Sequence, residues 1–142
     1  MASSERGSVT LEAAIVTPAL LLLFLLVVFA GRVTMASQAV DQAAWDAARA
    51  VSLARTETAA QADGRGIGEA SLANQGVYCD PLDIVIDASA LSRPPAAPDL
   101  AAVRVEVTCR VDMSDLSGLG VPGSVVFTAS ADSVADRFRS GP

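Results

Sequence analysis

Glu12 stands at the entrance of an apolar run, Ala13 through Ala30, that is broken only by Thr17 and Pro18. An ionised side chain at a membrane boundary or deeper costs roughly 2.5 to 3.5 kcal/mol on insertion scales, so a carboxylate kept there needs a partner or a task. The chemistry open to it is ionic: it can pair with a cation, or snorkel to headgroups from the helix end. Cys79 and Cys109 are the other residues with chemistry of their own. An even pair in a small exported domain reads as a disulfide, with two buried free thiols as the other reading. A bridge closing a loop of that length stabilises by roughly 3 to 4 kcal/mol in the chain-entropy model.

The remaining side chains argue against catalysis. The chain has no histidine, which removes the commonest general base and the commonest transition-metal ligand. Ser114, Ser117 and Ser130 therefore lack a base, and Asp80, Asp83, Asp87, Asp112 and Asp115 are scattered without the ligand spacing of a calcium hand. Gly64-Arg65-Gly66-Ile67-Gly68 has no phosphate-loop lysine and follows a helical pattern instead of a strand. A formal charge of −6 with no basic cluster gives nothing to neutralise phosphates, so no nucleic-acid partner is expected. No enzyme activity, cofactor or metal is expected.

These residues need elements to position them. As a helix at 1.5 Å per residue the apolar run spans about 27 Å, just enough for a bilayer core. A secretory signal cut near Thr34-Met35-Ala36 is the competing reading. Both carry the residues after Gly31 across the membrane. Arg6 and Arg32 flank the run, so charge does not set its direction; the cysteine pair places the C-terminal part outside.

Beyond Arg32 the chain is alanine-rich with no glycine or proline before Gly64, and one helix is expected from about Leu11 to Ala62. Ending near Gly31 and restarting is the alternative. Val33, Val40, Ala44, Ala47 and Val51 share one side of it, while Gln38, Asp41, Gln42, Asp46 and Arg49 are the more polar positions. Gly64 to Gly68 reads as a helix stop and loop, followed by a short helix from Glu69 to Gln75 ended by Gly76. Leu82 to Asp87 reads as a strand, Ser92 to Asp99 as a proline-rich loop, and Val103 to Val111 as a strand whose alternation puts four valines and Cys109 on one face. After a loop marked by Gly118, Gly120, Pro122 and Gly123, a third strand is expected at Val125 to Ala129, with edge or tail from Ser133 to Pro142. The fold class is α+β: a long N-terminal helix, membrane-spanning in its first half, with a small antiparallel sheet of about three strands packed on its exposed half.

Gly7, Glu12 five residues later, and then an apolar helix resemble the N-terminal signal of type IV pilin-like proteins. Arg6-Gly7 through Glu12, Pro18, Gly31-Arg32, and Gln42 through Arg49 look more narrowly like the TadE-like family, minor pseudopilins of tight-adherence pilus systems. The chain departs from the family's pattern at Ala13 and at Trp45-Asp46. The resemblance implies that a prepilin peptidase cuts after Gly7, leaving Ser8 as the new first residue and Glu12 as an assembly determinant that pairs with the Ser8 amine of a neighbouring subunit. It implies residues 1–7 as leader and 8–32 as membrane helix, and it covers about residues 6 to 50; the residue patterns themselves give 33–63 as the exposed continuation of the helix and 64–142 as a small extracytoplasmic β-rich domain. The expected setting is the bacterial cytoplasmic membrane, crossed once with the N-terminus inside and the C-terminal domain outside, and the cell surface after assembly. Partners are the peptidase, other pilin-like subunits, the pilus assembly machinery and the membrane. A signal-anchored or secreted binding domain with no pilus role is the alternative.

Overall fold

The computed structural model describes residues 5–92, 102–114 and 123–135. Two helices, α1 (Glu5–Leu53) and α2 (Glu57–Asn74), precede three strands, β1 (Leu82–Asp87), β2 (Ala102–Asp112) and β3 (Ser124–Val134), with a 3-10 turn at Ser89–Leu91. The chain divides into two compact units, Met1–Met35 and Ala36–Pro142.

In the first unit the helix carries its apolar side chains outward: Leu11, Ile15, Leu20, Leu21, Leu22, Leu23, Phe24, Leu26 and Val27 are all exposed. Pro18 sits inside this helix and brings no N–H to the carbonyl one turn back. One residue earlier, the Thr17 hydroxyl donates to the Ala13 carbonyl at 2.7 Å, and Thr34 repeats that bond to Ala30 at 2.9 Å. A hydroxyl bonded back to its own helix removes a polar group from competition for water, as a helix in hydrocarbon requires.

The second unit holds the core. From Ala36 to Val51, α1 buries Ala36, Ala39, Val40, Ala43, Ala44, Ala47, Ala48 and Val51 along one face, while Gln38, Asp41, Gln42 and Arg49 stay exposed. The single helix expected from Leu11 to Ala62 is instead two. Its early end has a local cause: the Ser52 hydroxyl donates to the Arg49 carbonyl at 2.8 Å, and Ala54 N–H turns back to Val51 at 3.1 Å. Thr56 then takes an extended backbone, φ −132° and ψ 154°, and its hydroxyl accepts from Ala59 N–H to cap α2, with Glu57 at the positive end of the new helix dipole.

α2 runs back along α1, so that Gly64 meets Val51 while Gly68 meets Ala47 and Ala43. The stretch expected to stop a helix lies inside one. Its buried residues are Ala60, Gly64, Gly68 and Leu72, a stripe repeating every four residues. Close packing overrides the intrinsic helix cost of glycine, about 1 kcal/mol per residue. A Cβ on Gly64 would lie 2.5 Å from Val51 Cγ2 and 2.8 Å from Ile86 Cδ1, so both α1 and β1 approach where that side chain is missing. The expected stop does occur at Gly76, whose φ of +70° suits glycine, after Asn74 ends the helix.

The sheet is an antiparallel meander in the order β1-β2-β3. β2 alternates as expected: Val103, Val105, Val107 and Cys109 are buried, and Arg104, Glu106 and Arg110 are exposed. Ile84, Ile86, Ala129 and Ala131 complete the buried face and join the helical alanines in one cluster. Gln61 of α2 ties the layers by donating to the Ile86 carbonyl at 2.9 Å. β3 extends past the expected Val125 to Ala129 because it pairs with the whole of β2, from Asp112↔Ser124 to Ala102↔Val134. The expected loops over 93–99 and 118–122, and the tail over 136–142, lie outside the described residues.

Candidate functional site

The residues singled out in the sequence fall into two separate places. Gly7, Ser8 and Glu12 belong to the start of α1, in the first unit. Gly7 and Ser8 lie within the first turns of the helix, where backbone N–H groups have no partner in the helix itself and unwinding costs little. Glu12 is exposed and, among the described residues, makes neither hydrogen bond nor ion pair. Its chemistry therefore needs a cation from outside the described part of this chain.

The apolar part of the same helix is long and hydrophobic enough to cross a membrane, and no residue of its most apolar stretch is buried. A helix that is apolar all round and uncovered by its own chain is suited to lipid or to other helices. What this end of the chain can do is insert and associate.

Cys79 and Cys109 belong to the second unit, where they are bridged with Cα atoms 5.1 Å apart. Cys109 is fully buried in β2, and Cys79 lies just before β1. Backbone bonds on either side hold the same spot: Asp80 N–H to Arg110 at 2.8 Å, and Arg110 N–H to Pro81 at 3.2 Å, with a cis peptide between Asp80 and Pro81. The bridge therefore fixes the entry of β1 onto the middle strand.

Of the aspartates singled out in the sequence, Asp80 and Asp83 are exposed, and Asp87 and Asp112 are occupied in turns. Asp87 accepts from Ser89 N–H at 3.1 Å, and Asp112 accepts from both the backbone and the hydroxyl of Ser114. Asp115 and Ser117 lie outside the described residues. On the outer face of the sheet Arg104 and Asp132 form a two-pronged pair, Nε to Oδ1 at 2.7 Å and Nη2 to Oδ2 at 2.9 Å. The hydrogen bond from Arg104 holds the Asp132 carboxyl below its ordinary 3.8 and raises Arg104 in turn.

Sequence reasoning missed one polar cluster. Asp46 on α1 accepts from Gln42 Nε2 at 2.9 Å and from the Ser71 hydroxyl of α2 at 2.8 Å, beside a shallow open depression of about 350 Å³ that Ile67 and Asn74 also line. Both carboxylate oxygens are used: Oδ1 holds Gln42 one turn back on α1, and Oδ2 joins α1 to α2 through Ser71. The signal was the position of Asp46 at the border of the buried face, which reads equally well as a solvated one.

No curated protein and no solved structure matches this chain. A family model does match, that of the family described as TadE-like protein, over residues 7–49. The match begins at Gly7, takes in Glu12, Pro18 and the whole apolar run, and ends at Arg49 inside α1, before α2 and the sheet. Residues 7–49 are thus similar to the TadE-like family, the one that Gly7, Glu12 and the apolar helix resemble.

Proposed function

We propose that this chain is a minor pseudopilin of a tight-adherence pilus system, cut by a prepilin peptidase between Gly7 and Ser8 and assembled through its N-terminal helix. The TadE-like match over residues 7–49 carries this reading, because it includes the glycine, the glutamate and the helix on which the proposed processing and assembly depend. Residues 1–7 act as leader, and the helix from residue 8 to about residue 32 crosses the bacterial cytoplasmic membrane with the N-terminus inside. The disulfide between Cys79 and Cys109 supports an outside location for the second unit, since such bridges persist in oxidising compartments. Its role is structural: other pilin-like subunits and the assembly machinery are its partners.

Glu12 has a specific part in this. Cleavage creates a positive amine at Ser8, and Glu12 of one subunit pairs with that amine on the next. In low dielectric, removing one partner of such a pair costs about 3 to 5 kcal/mol, so pairing sets the axial register of packed helices. Glu12→Ala should insert into membranes normally and be recovered with pilus components at a level reduced severalfold. Undiminished co-purification of that variant contradicts the assembly role.

A further inference from the structure

The two edges of the sheet are built differently. β1 is 6 residues long, follows Pro81 and sets Asp83 and Asp87 on either side of Val85 on the outer face. A short, charged edge of that kind resists pairing with another chain. β3 runs 11 residues without proline, lysine or arginine, and its one charge, Asp132, is held by Arg104 of β2. Among the described residues no strand lies beyond β3. Its outer edge offers a row of backbone N–H and C=O groups to an antiparallel strand.

The side chains select which strand fits. Val126 and Val134 stand near the two ends of the outer face of β3, 50% and 56% exposed. Two copies of β3 laid antiparallel about Ser130 bring each Val126 opposite Val134 of the other copy. Thr128 then faces Asp132, Ser130 faces Ser130, and on the inner side Ala129 faces Ala131. Both valines are covered, no like charges are opposed, and the contact is two-fold symmetric. Centring the pair on Ala129 sets Val126 against Asp132, and centring it on Ala131 sets Val134 against Thr128. Registers between these would turn the core face of one sheet to the solvent side of the other.

We propose that β3 is a homotypic docking edge, joining two copies of this chain antiparallel about Ser130 into one continuous sheet. Pairing through β3 depends on the sheet alone and not on the pilus reading. The test is oxidative cross-linking of the full-length chain in membranes. Ser130 is exposed, so Ser130→Cys leaves the core untouched and should give a disulfide-linked dimer at least tenfold more abundantly than Thr128→Cys or Asp132→Cys alone. Co-expressed Thr128→Cys and Asp132→Cys chains should link to each other. Val126→Lys with Val134→Lys should lower the Ser130→Cys dimer at least tenfold while the Cys79–Cys109 bridge and the melting temperature are kept. Glu12→Ala should leave that dimer intact, separating pairing through β3 from association through helices. Equal linking at all three positions, no dimer at Ser130→Cys, or loss of the dimer with Glu12→Ala overturns the proposal.

Discussion

Gly64 and Gly66 are two residues apart in one helix and have opposite surroundings. A methyl group on Gly64 meets Val51 and Ile86 at 2.5 and 2.8 Å, whereas one on Gly66 meets nothing within 4 Å. Gly64→Ala should therefore destabilise the fold by about 1 to 3 kcal/mol through overpacking. Gly66→Ala should stabilise it by about 0.5 to 1 kcal/mol, because alanine restricts the unfolded chain and favours helix. Urea unfolding of the detergent-solubilised chain, followed by circular dichroism, measures both. The sequence already held the clue, since positions 64 and 68 share a helix face, but spacing alone does not say what comes close. Cys79 and Cys109 were easier to read, because a covalent bridge needs only each other. At Asp132 the pH dependence has a definite sign. Its carboxyl is held low in the folded chain, so the pairing with Arg104 stabilises fully above the ordinary aspartate pKa and is lost as pH falls from there through the lowered pKa of the folded chain. Asp132→Asn should flatten that part of a melting temperature against pH profile, by a small amount because the pair is exposed.

Ser52 and Ala54 close α1, and the Thr56 side chain opens α2. Thr56→Ala removes the cap on Ala59 N–H and should cost about 1 kcal/mol in the same unfolding measurement, while Thr58→Ala, exposed in the first turn of α2 and making no cap bond, should change little. A rule that looks only for glycine and proline runs the first helix on to Ala62, whereas Thr56-Glu57 is a start signal in its own right. β2 was legible because one face is buried and one is wet, which forces alternation. The second half of β3, Ser130 to Val134, was not. Ser-Ala-Asp-Ser is weak in strand propensity, and those residues are extended because Val103, Arg104, Val105 and Glu106 lie across from them.

Across the whole chain, the two units obey opposite rules. Among the described residues, the first unit leaves most of its large apolar side chains exposed, whereas the second buries small helical residues and β-branched strand residues in one core. The α+β class and the long apolar helix could be read from hydropathy and alternation, which act locally. The reversal that lays α2 on α1 could not, because it depends on contacts between residues such as Gly64 and Val51 that are distant in sequence. The function proposed for the first unit turns on one peptide bond, between Gly7 and Ser8. Intact mass and N-terminal peptide mapping of the chain extracted from its native membrane identify the first residue directly. The account predicts Ser8. A chain that still begins at Met1 or Ala2, or one that begins near Ser37, contradicts it.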